Sequence, residues 1–223
     1  MTFSAEWEGV YEKNTHLSVW PWSDLVSYVM RYAKPKKEGV KVLEVGFGAA
    51  ANIPFFKRLK ADYYGLEGSS IMVEQLKKEY PEYAPHLLCC DFTKEIPFEE
   101  KFDIIVDRAA ITHNDTVAIK RTLDAIWEKL KDDGKFIGID WFSKAHSDYT
   151  SCEASIVDDF TKTNFLNGQF VGVGNVHFSD EAHILELFEK FNIDKLEHKH
   201  NDYLIPNGGE MFASFNLVAT KKA

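Results

Sequence analysis

Four carboxylates stand where they suit a cationic ligand that also carries hydroxyls. Glu44 lies just before the loop Gly46-Phe47-Gly48; Glu67 and Asp91 end two further short apolar runs, and Asp107 ends a fourth. Glycines at 46 and 48 let the backbone turn sharply and let a ligand approach, and the helix that follows presents free N–H groups. Glu44, set among Val42, Leu43 and Val45, is costly to bury unless something pairs with it. Glu67 can accept two ribose hydroxyls, Asp91 an exocyclic adenine amine, and Glu44 an ammonium directly or through water. Gly46-x-Gly48-x-x-Ala51 also fits the dinucleotide fingerprint with Glu67 as the ribose acid, so a nicotinamide cofactor is a second reading of the loop. A tight strand-to-helix turn without a ligand is a third. No basic cluster follows the glycines, which speaks against a pyrophosphate.

Proton transfer has one leading candidate. His113 lies six residues after Asp107, in the loop leaving the fourth strand, where it serves as a general base or caps the helix that follows. His146 and His177 lie in a long segment that can reach the same pocket, or are ordinary loop residues. Arg108 holds an anionic substrate group or makes a surface ion pair. Asp140, at the fifth strand end, binds substrate or joins Asp107 and Asp115 in an oxygen-rich metal site, though that spacing is not diagnostic. Trp20 and Trp22 flank a proline, and their stiff surfaces either close over a ligand or stack on a planar one, or else plug a helix onto the core. His198 and His200 share a strand face without a third ligand nearby, so no zinc site and no other metal is expected.

These residues need a scaffold that brings strand ends together. Short apolar runs alternate with helical patterns from Val40 to about Phe191, the signature of a doubly wound parallel α/β sheet, in which the carboxyl ends of the strands share one crevice. Strands are predicted at Val40–Val45, Tyr63–Leu66, His86–Cys90, Asp103–Val106 and Lys135–Asp140. Helices are predicted after Asn52, after Ser69 or Ser70, after Asp115 and from Ser179, each opened by a capping residue. Ile193–His200 and Met211–Thr220 pair as a hairpin through the turn at Pro206–Gly209. Two segments fall outside the alternation. One is residues 1–34, with a helix capped by Ser23 that places Leu25, Val29 and Tyr32 on one face. The other is residues 141–178, long enough to be a functional cover.

Composition sets the class. The 223 residues are 45% hydrophobic and 27% charged, which fits one folded domain with additions and excludes a mostly disordered chain. A formal charge of −9 argues against a nucleic-acid partner, and no run approaches a membrane span. Cys89, Cys90 and Cys152 form no disulfide framework, and no secretory signal opens the chain, so a cytoplasmic location is expected.

The ordered set Glu44-Val-Gly46-Phe-Gly48, Glu67, Cys90-Asp91-Phe92, Phe102-Asp-Ile-Ile-Val-Asp107 and Leu130-Lys-Asp-Asp-Gly134-Lys-Phe-Ile resembles the motif series of class I S-adenosylmethionine-dependent methyltransferases. The resemblance covers about Val40 to Asp140. It implies a Rossmann-like seven-stranded sheet of order 3-2-1-4-5-7-6, the last strand antiparallel, with helices on both faces. It also implies one methyltransferase domain over 1–223, with 1–34 as a lid. Glu44, Gly46, Gly48, Asn52, Glu67, Gly68, Ser69, Asp91, Phe92 and Asp107 would surround S-adenosylmethionine, with Trp20 closing over it. Trp22, Arg108, Asp140 and His146 would face a small-molecule acceptor, with His113 as base. Ala50 stands where many members carry a third glycine. Trp7-x-x-x-Tyr11, Leu17-Ser-Val-Trp20-Pro-Trp22 and the run Asp107 to Asn114 are similar to a bacterial subgroup that methylates surface-polysaccharide precursors.

Overall fold

The computed structural model describes residues 18–35, 39–205 and 211–222. The core strands are β1 (Lys41–Val45), β2 (Asp62–Glu67), β3 (Leu87–Cys89), β4 (Phe102–Arg108) and β5 (Leu130–Phe142). Further along come β6 (Ser155–Ile156), β7 (Thr161–Thr163), β8 (Val176–His177), β9 (Phe191–Asp202) and β10 (Met211–Lys221). The main sheet has seven strands in the order β3-β2-β1-β4-β5-β10-β9. Counting only its own members this is 3-2-1-4-5-7-6, with β10 antiparallel to both neighbours, as the sequence implies.

β1 is buried on both faces after its first residue, which is why Val42, Leu43 and Val45 stand close together without a strict alternation, interrupted by the buried Glu44. Its side chains still alternate between two cores. Leu43 and Val45 join Ile119, Leu123 and Ile126 of α4 (Thr116–Lys129) and Ile184 and Leu187 of α6 (Glu181–Leu187). On the other face, Val42 joins α1 (Ser23–Tyr28), α2 (Ile53–Arg58) and α3 (Ser70–Glu79) through Leu25, Ile53, Phe56, Met72 and Leu76. The carboxylates of Asp115 and Asp180 accept the N–H of Ala118 and His183, opening α4 and α6.

Several local expectations are corrected. Trp22, not Ser23, holds the cap position of α1, and from Val29 to Ala33 the helix widens into a π turn, so that Tyr28 is buried in place of Tyr32. Helix α6 begins after Asp180 and not at Ser179. β5 extends past both predicted ends, because Leu130 already pairs with Phe102 before a register shift resumes the ladder at Lys135. Trp141 and Phe142 are therefore sheet residues. The cover begins at Ser143, whose backbone meets Ser179, and holds α5 (Ser147–Ser151) and a three-stranded sheet, β6-β7-β8. An aromatic cluster of Phe142, Phe165, Phe170 and Phe178 fills it. Trp7, Tyr11, Leu17 and the turn at Pro206–Gly209 lie outside the described residues.

Candidate cofactor and acceptor site

The glycine loop is tied down by carboxylates. Glu67, at the end of β2, accepts the N–H of Gly48 at 2.8 Å on one oxygen, and those of Gly68 and Ser69 at 2.9 and 3.1 Å on the other. Ser69 then caps α3 by accepting from Met72 N–H. Gly46 lies at φ +68°, and a methyl group there would stand 2.2 Å from Ala110 Cβ, so this glycine admits the loop after β4 as well as a ligand. The Phe92 ring approaches the same point to 3.7 Å. Ala50 occupies the left-handed region at φ 61°, the conformation that a third glycine would adopt freely.

Glu44 is buried and fully engaged: its oxygens accept from Asn52 Nδ2 at 2.7 Å and from the Tyr63 hydroxyl at 2.8 Å. Asn52 occupies the cap position of α2, but its side chain does not cap. It turns to Glu44, and its Oδ1 accepts the N–H of Trp22 at 3.4 Å. Burial is the main cause that pushes Glu44 up to about 7, and Asp107 and Glu67 add to it by repulsion. These three strand-end carboxylates therefore sense one another, as the shared crevice requires. Tyr63 is the partner that sequence reasoning missed; its signal was a hydroxyl in a strand beside an acid needing company.

Asp107 is fully buried and also pushed up to about 7, chiefly by desolvation. One oxygen accepts the N–H groups of Ala110 and Ile111, both at 3.0 Å, and so shapes the short 3₁₀ turn that delivers His113. The other finds no hydrogen-bond partner among the described residues. The Trp141 indole N–H favours the Asp107 charge without closing a hydrogen bond to it. His113 Nδ1 lies 2.9 Å from the carbonyl of Asn175 in the cover. A carbonyl only accepts, so Nδ1 carries the proton and Nε2 keeps its lone pair. No residue-type signal announces that backbone contact.

At the end of β4, Arg108 is sandwiched. Trp22 lies over its guanidinium, 3.5 Å from ring centroid to carbon, and Asp140 pairs with it at 3.2 Å. Lys199 bridges Asp140 and Asp24, and Asn216 ties Asp24 to the backbone of Asp140. This network fastens α1 over the ends of β4, β5 and β10. Trp20 is exposed. Asp91 is committed to its own turn, accepting from the Thr93 N–H and hydroxyl and pairing with Lys94 at 3.1 Å. His146 is buried against Phe170 and Phe212, where its Nδ1 accepts the N–H of Asp148 and burial lowers its pKa. The structure thus groups Glu44, Gly46, Gly48, Asn52, Glu67, Gly68, Ser69 and Phe92 around the loop and brings Trp22 onto its edge. His146 belongs to the interior of the cover. Among the described residues, no group of three or more His, Cys, Asp or Glu is placed to hold a metal ion, and no helix is long and apolar enough to cross a membrane.

The residues present fit S-adenosylmethionine. The partnerless buried oxygen of Asp107, with the raised carboxyl of Glu44 beside it, suits a positive ligand, and Glu67 at the second strand end suits its ribose. Residues 43–138 match the family described as Methyltransferase domain. Among curated protein sequences none matches the chain. Similar solved structures include an S-adenosylmethionine-dependent methyltransferase from Clostridium acetobutylicum (15% identity, 96% of this chain and 97% of that one, TM-score 0.65). Another is a Burkholderia thailandensis 1,6-didemethyltoxoflavin-N1-methyltransferase with bound S-adenosylhomocysteine (14%, 99% and 86%, TM-score 0.64). A Rhodobacter sphaeroides protein described as a candidate zinc-dependent alcohol dehydrogenase shares the architecture as well (13%, 98% and 98%, TM-score 0.71). Identities this low speak for the fold alone. Residues 43–138, which match that methyltransferase domain, form the part of the sheet that holds the glycine loop and all four strand-end carboxylates, and the chain has the Rossmann-like fold of its S-adenosylmethionine-dependent methyltransferase neighbours.

Proposed function

We propose that the enzyme methylates a hydroxyl of a small molecule, a sugar or surface-polysaccharide precursor, in the cytoplasm, with His113 as general base. The observation that carries this reading is the Asn175 carbonyl on His113 Nδ1, which leaves Nε2 able to take a proton. The whole chain acts as one domain, with residues 1–34 as lid and the cover as acceptor pocket. Glu67, Gly68 and Ser69 hold the ribose, Asp91 and Phe92 the adenine, and Glu44, Asn52 and Asp107 favour the cationic end, with Trp20 closing over it. To meet adenine, Asp91 must give up part of its own turn. Trp22, Arg108 and Asp140 line the acceptor side, and His146 braces its wall.

When bound, the cofactor supplies a methyl group on a sulfonium, which leaves as a neutral thioether. With the cofactor bound, His113 Nε2 would take the proton of the acceptor hydroxyl as that oxygen is methylated. Holding the two reactants in line and dry is worth ~7–11 kcal/mol of barrier. The sugar reading is supported by the subgroup resemblance and by Trp22, which is part-exposed and whose ring has one face on Arg108, leaving the other as the stacking surface a sugar would use.

Two measurements test it. S-adenosylhomocysteine is expected to raise the melting temperature and NAD to leave it unchanged, since only a binder of the folded state stabilises it; the reverse would make the chain a nicotinamide enzyme. With a panel of sugar acceptors, His113→Ala is expected to lower turnover ~10²–10⁴-fold with S-adenosylhomocysteine affinity intact. Wild-type turnover in that variant removes His113 as the base.

A further inference from the structure

The carbonyl that sets the His113 tautomer belongs to the cover, and the cover strand that carries it is fastened two residues later. Asn175 runs directly into β8, a strand of two residues held by only two ladder pairs, Thr161↔His177 and Lys162↔Val176. His177 is fully buried. Its Nδ1 lies 2.9 Å from Thr161 Oγ1, and its Nε2 lies 3.1 Å from Nε2 of His183 on α6. His183 Nδ1 stands 3.6 Å from a carboxylate oxygen of Glu186, and the ring of Phe160 lies flat on the His183 ring at 3.4 Å between centroids.

One direction of this chain turns its last N–H toward a carboxylate, although His183 Nδ1 closes no hydrogen bond among the described residues. The Thr161 hydroxyl donates to His177 Nδ1, His177 Nε2–H donates to His183 Nε2, and His183 Nδ1–H points at Glu186. Reversed, the lone pair of His183 Nδ1 would face the Glu186 carboxylate. So short a strand takes its register from its surroundings, among them the Phe178 N–H on the Phe160 carbonyl at 2.7 Å and the buried His177 ring. A slip of one residue would leave a buried imidazole without partners, a penalty that an apolar pair would not impose.

We infer that the Thr161–His177–His183 chain is the positioning device for His113: it fixes β8 against β7 and α6 so that the Asn175 carbonyl meets His113 Nδ1. These are positioning residues, and the inference rests on His113 being the base.

The test reads His113 directly, by NMR of the full chain with ¹⁵N-labelled histidine and S-adenosylhomocysteine. The resonance is assigned by its loss in His113→Gln. In the unsubstituted protein the proton is expected on Nδ1. His183→Leu and the volume-conserving Thr161→Val each break one link and are expected to shift His113 toward a mixture with protonated Nε2. His183→Gln, whose amide still reaches His177 Nε2, is expected to restore the Nδ1 form. Val73→Ala, in the core of the opposite sheet face, lowers stability without touching the chain and should leave His113 unchanged. An unchanged tautomer in folded Thr161→Val and His183→Leu overturns the proposal, as does an equal shift in Val73→Ala. The readout needs no acceptor, so it stands apart from the turnover of His113→Ala, which decides the base.

Discussion

Gly46 and Gly172 share left-handed backbone, at φ +68° and +77°, yet their surroundings differ. A methyl group at 172 meets nothing within 4 Å, whereas at 46 it collides with Ala110. Gly172→Ala should therefore cost only the backbone strain, ~1–2 kcal/mol. Gly46→Ala adds overpacking of a further ~1–3 kcal/mol. At roughly 2–4 °C per kcal/mol for a chain of this size, melting should fall by about 2–8 °C in the first and about 4–20 °C in the second. Thermal unfolding of the two variants checks the order; equal losses would mean that the loop after β4 yields at no cost. Gly138 works the same way for a different neighbour. A methyl group there would stand 2.7 Å from Trp141 Nε1, the indole that attends Asp107.

At the scale of elements, the sequence was most legible where one local rule decides. β1, β2 and β4 are short runs rich in apolar residues, and Asp115 and Asp180 announce their helices by capping. Asn52 obeyed a stronger demand, the buried Glu44, so its cap was misread. The cover was illegible because its strands are two or three residues long and its order comes from aromatic side chains far apart in sequence. Of the candidate site, Glu44, Glu67 and Asp107 could be placed from strand ends alone, while Tyr63, Asn175 and the Lys199 network required tertiary contacts. That network bears on α1. Lys199 and Asp24 are part-exposed, so solvent screens them, and Lys199→Met should cost about 1 kcal/mol. Amide hydrogen exchange over residues 23–28 is expected to speed up about 5-fold; unchanged exchange would show that apolar packing alone holds the helix.

The molecule as a whole should show an unusual alkaline arm in its stability. Glu44 and Asp107 have folded values raised to about 7, so the folded protein holds protons that the unfolded chain has released. Their contribution is present below pH 4 and is lost as pH rises through 7. His177 is lowered to about 3, and His146, His183 and His198 are lowered too, all mainly by burial. In the unfolded chain these histidines are half protonated at about pH 6.5, so their contribution is full only about a unit higher and offsets part of the loss on that side. Between pH 6.5 and 8 the two carboxylates together should cost the cofactor-free protein ~1–2 kcal/mol, partly offset by the histidines. The share of one carboxylate is read from Glu44→Gln, which should gain about 1 kcal/mol relative to the unsubstituted protein over that interval. Chemical unfolding of both proteins at fixed ionic strength measures it, and parallel profiles would place Glu44 in wetter surroundings than the structure gives it. A last consequence follows from the neck of the cover. The backbone of Ser179 meets those of Phe142 and Lys144 at 2.9 and 2.8 Å, so the excursion of 144–178 leaves and rejoins the body at nearly one point. The sheet's connectivity then does not depend on what hangs there. A change in the length of the cover can therefore be absorbed beyond this neck, while the strands of the main sheet keep their register.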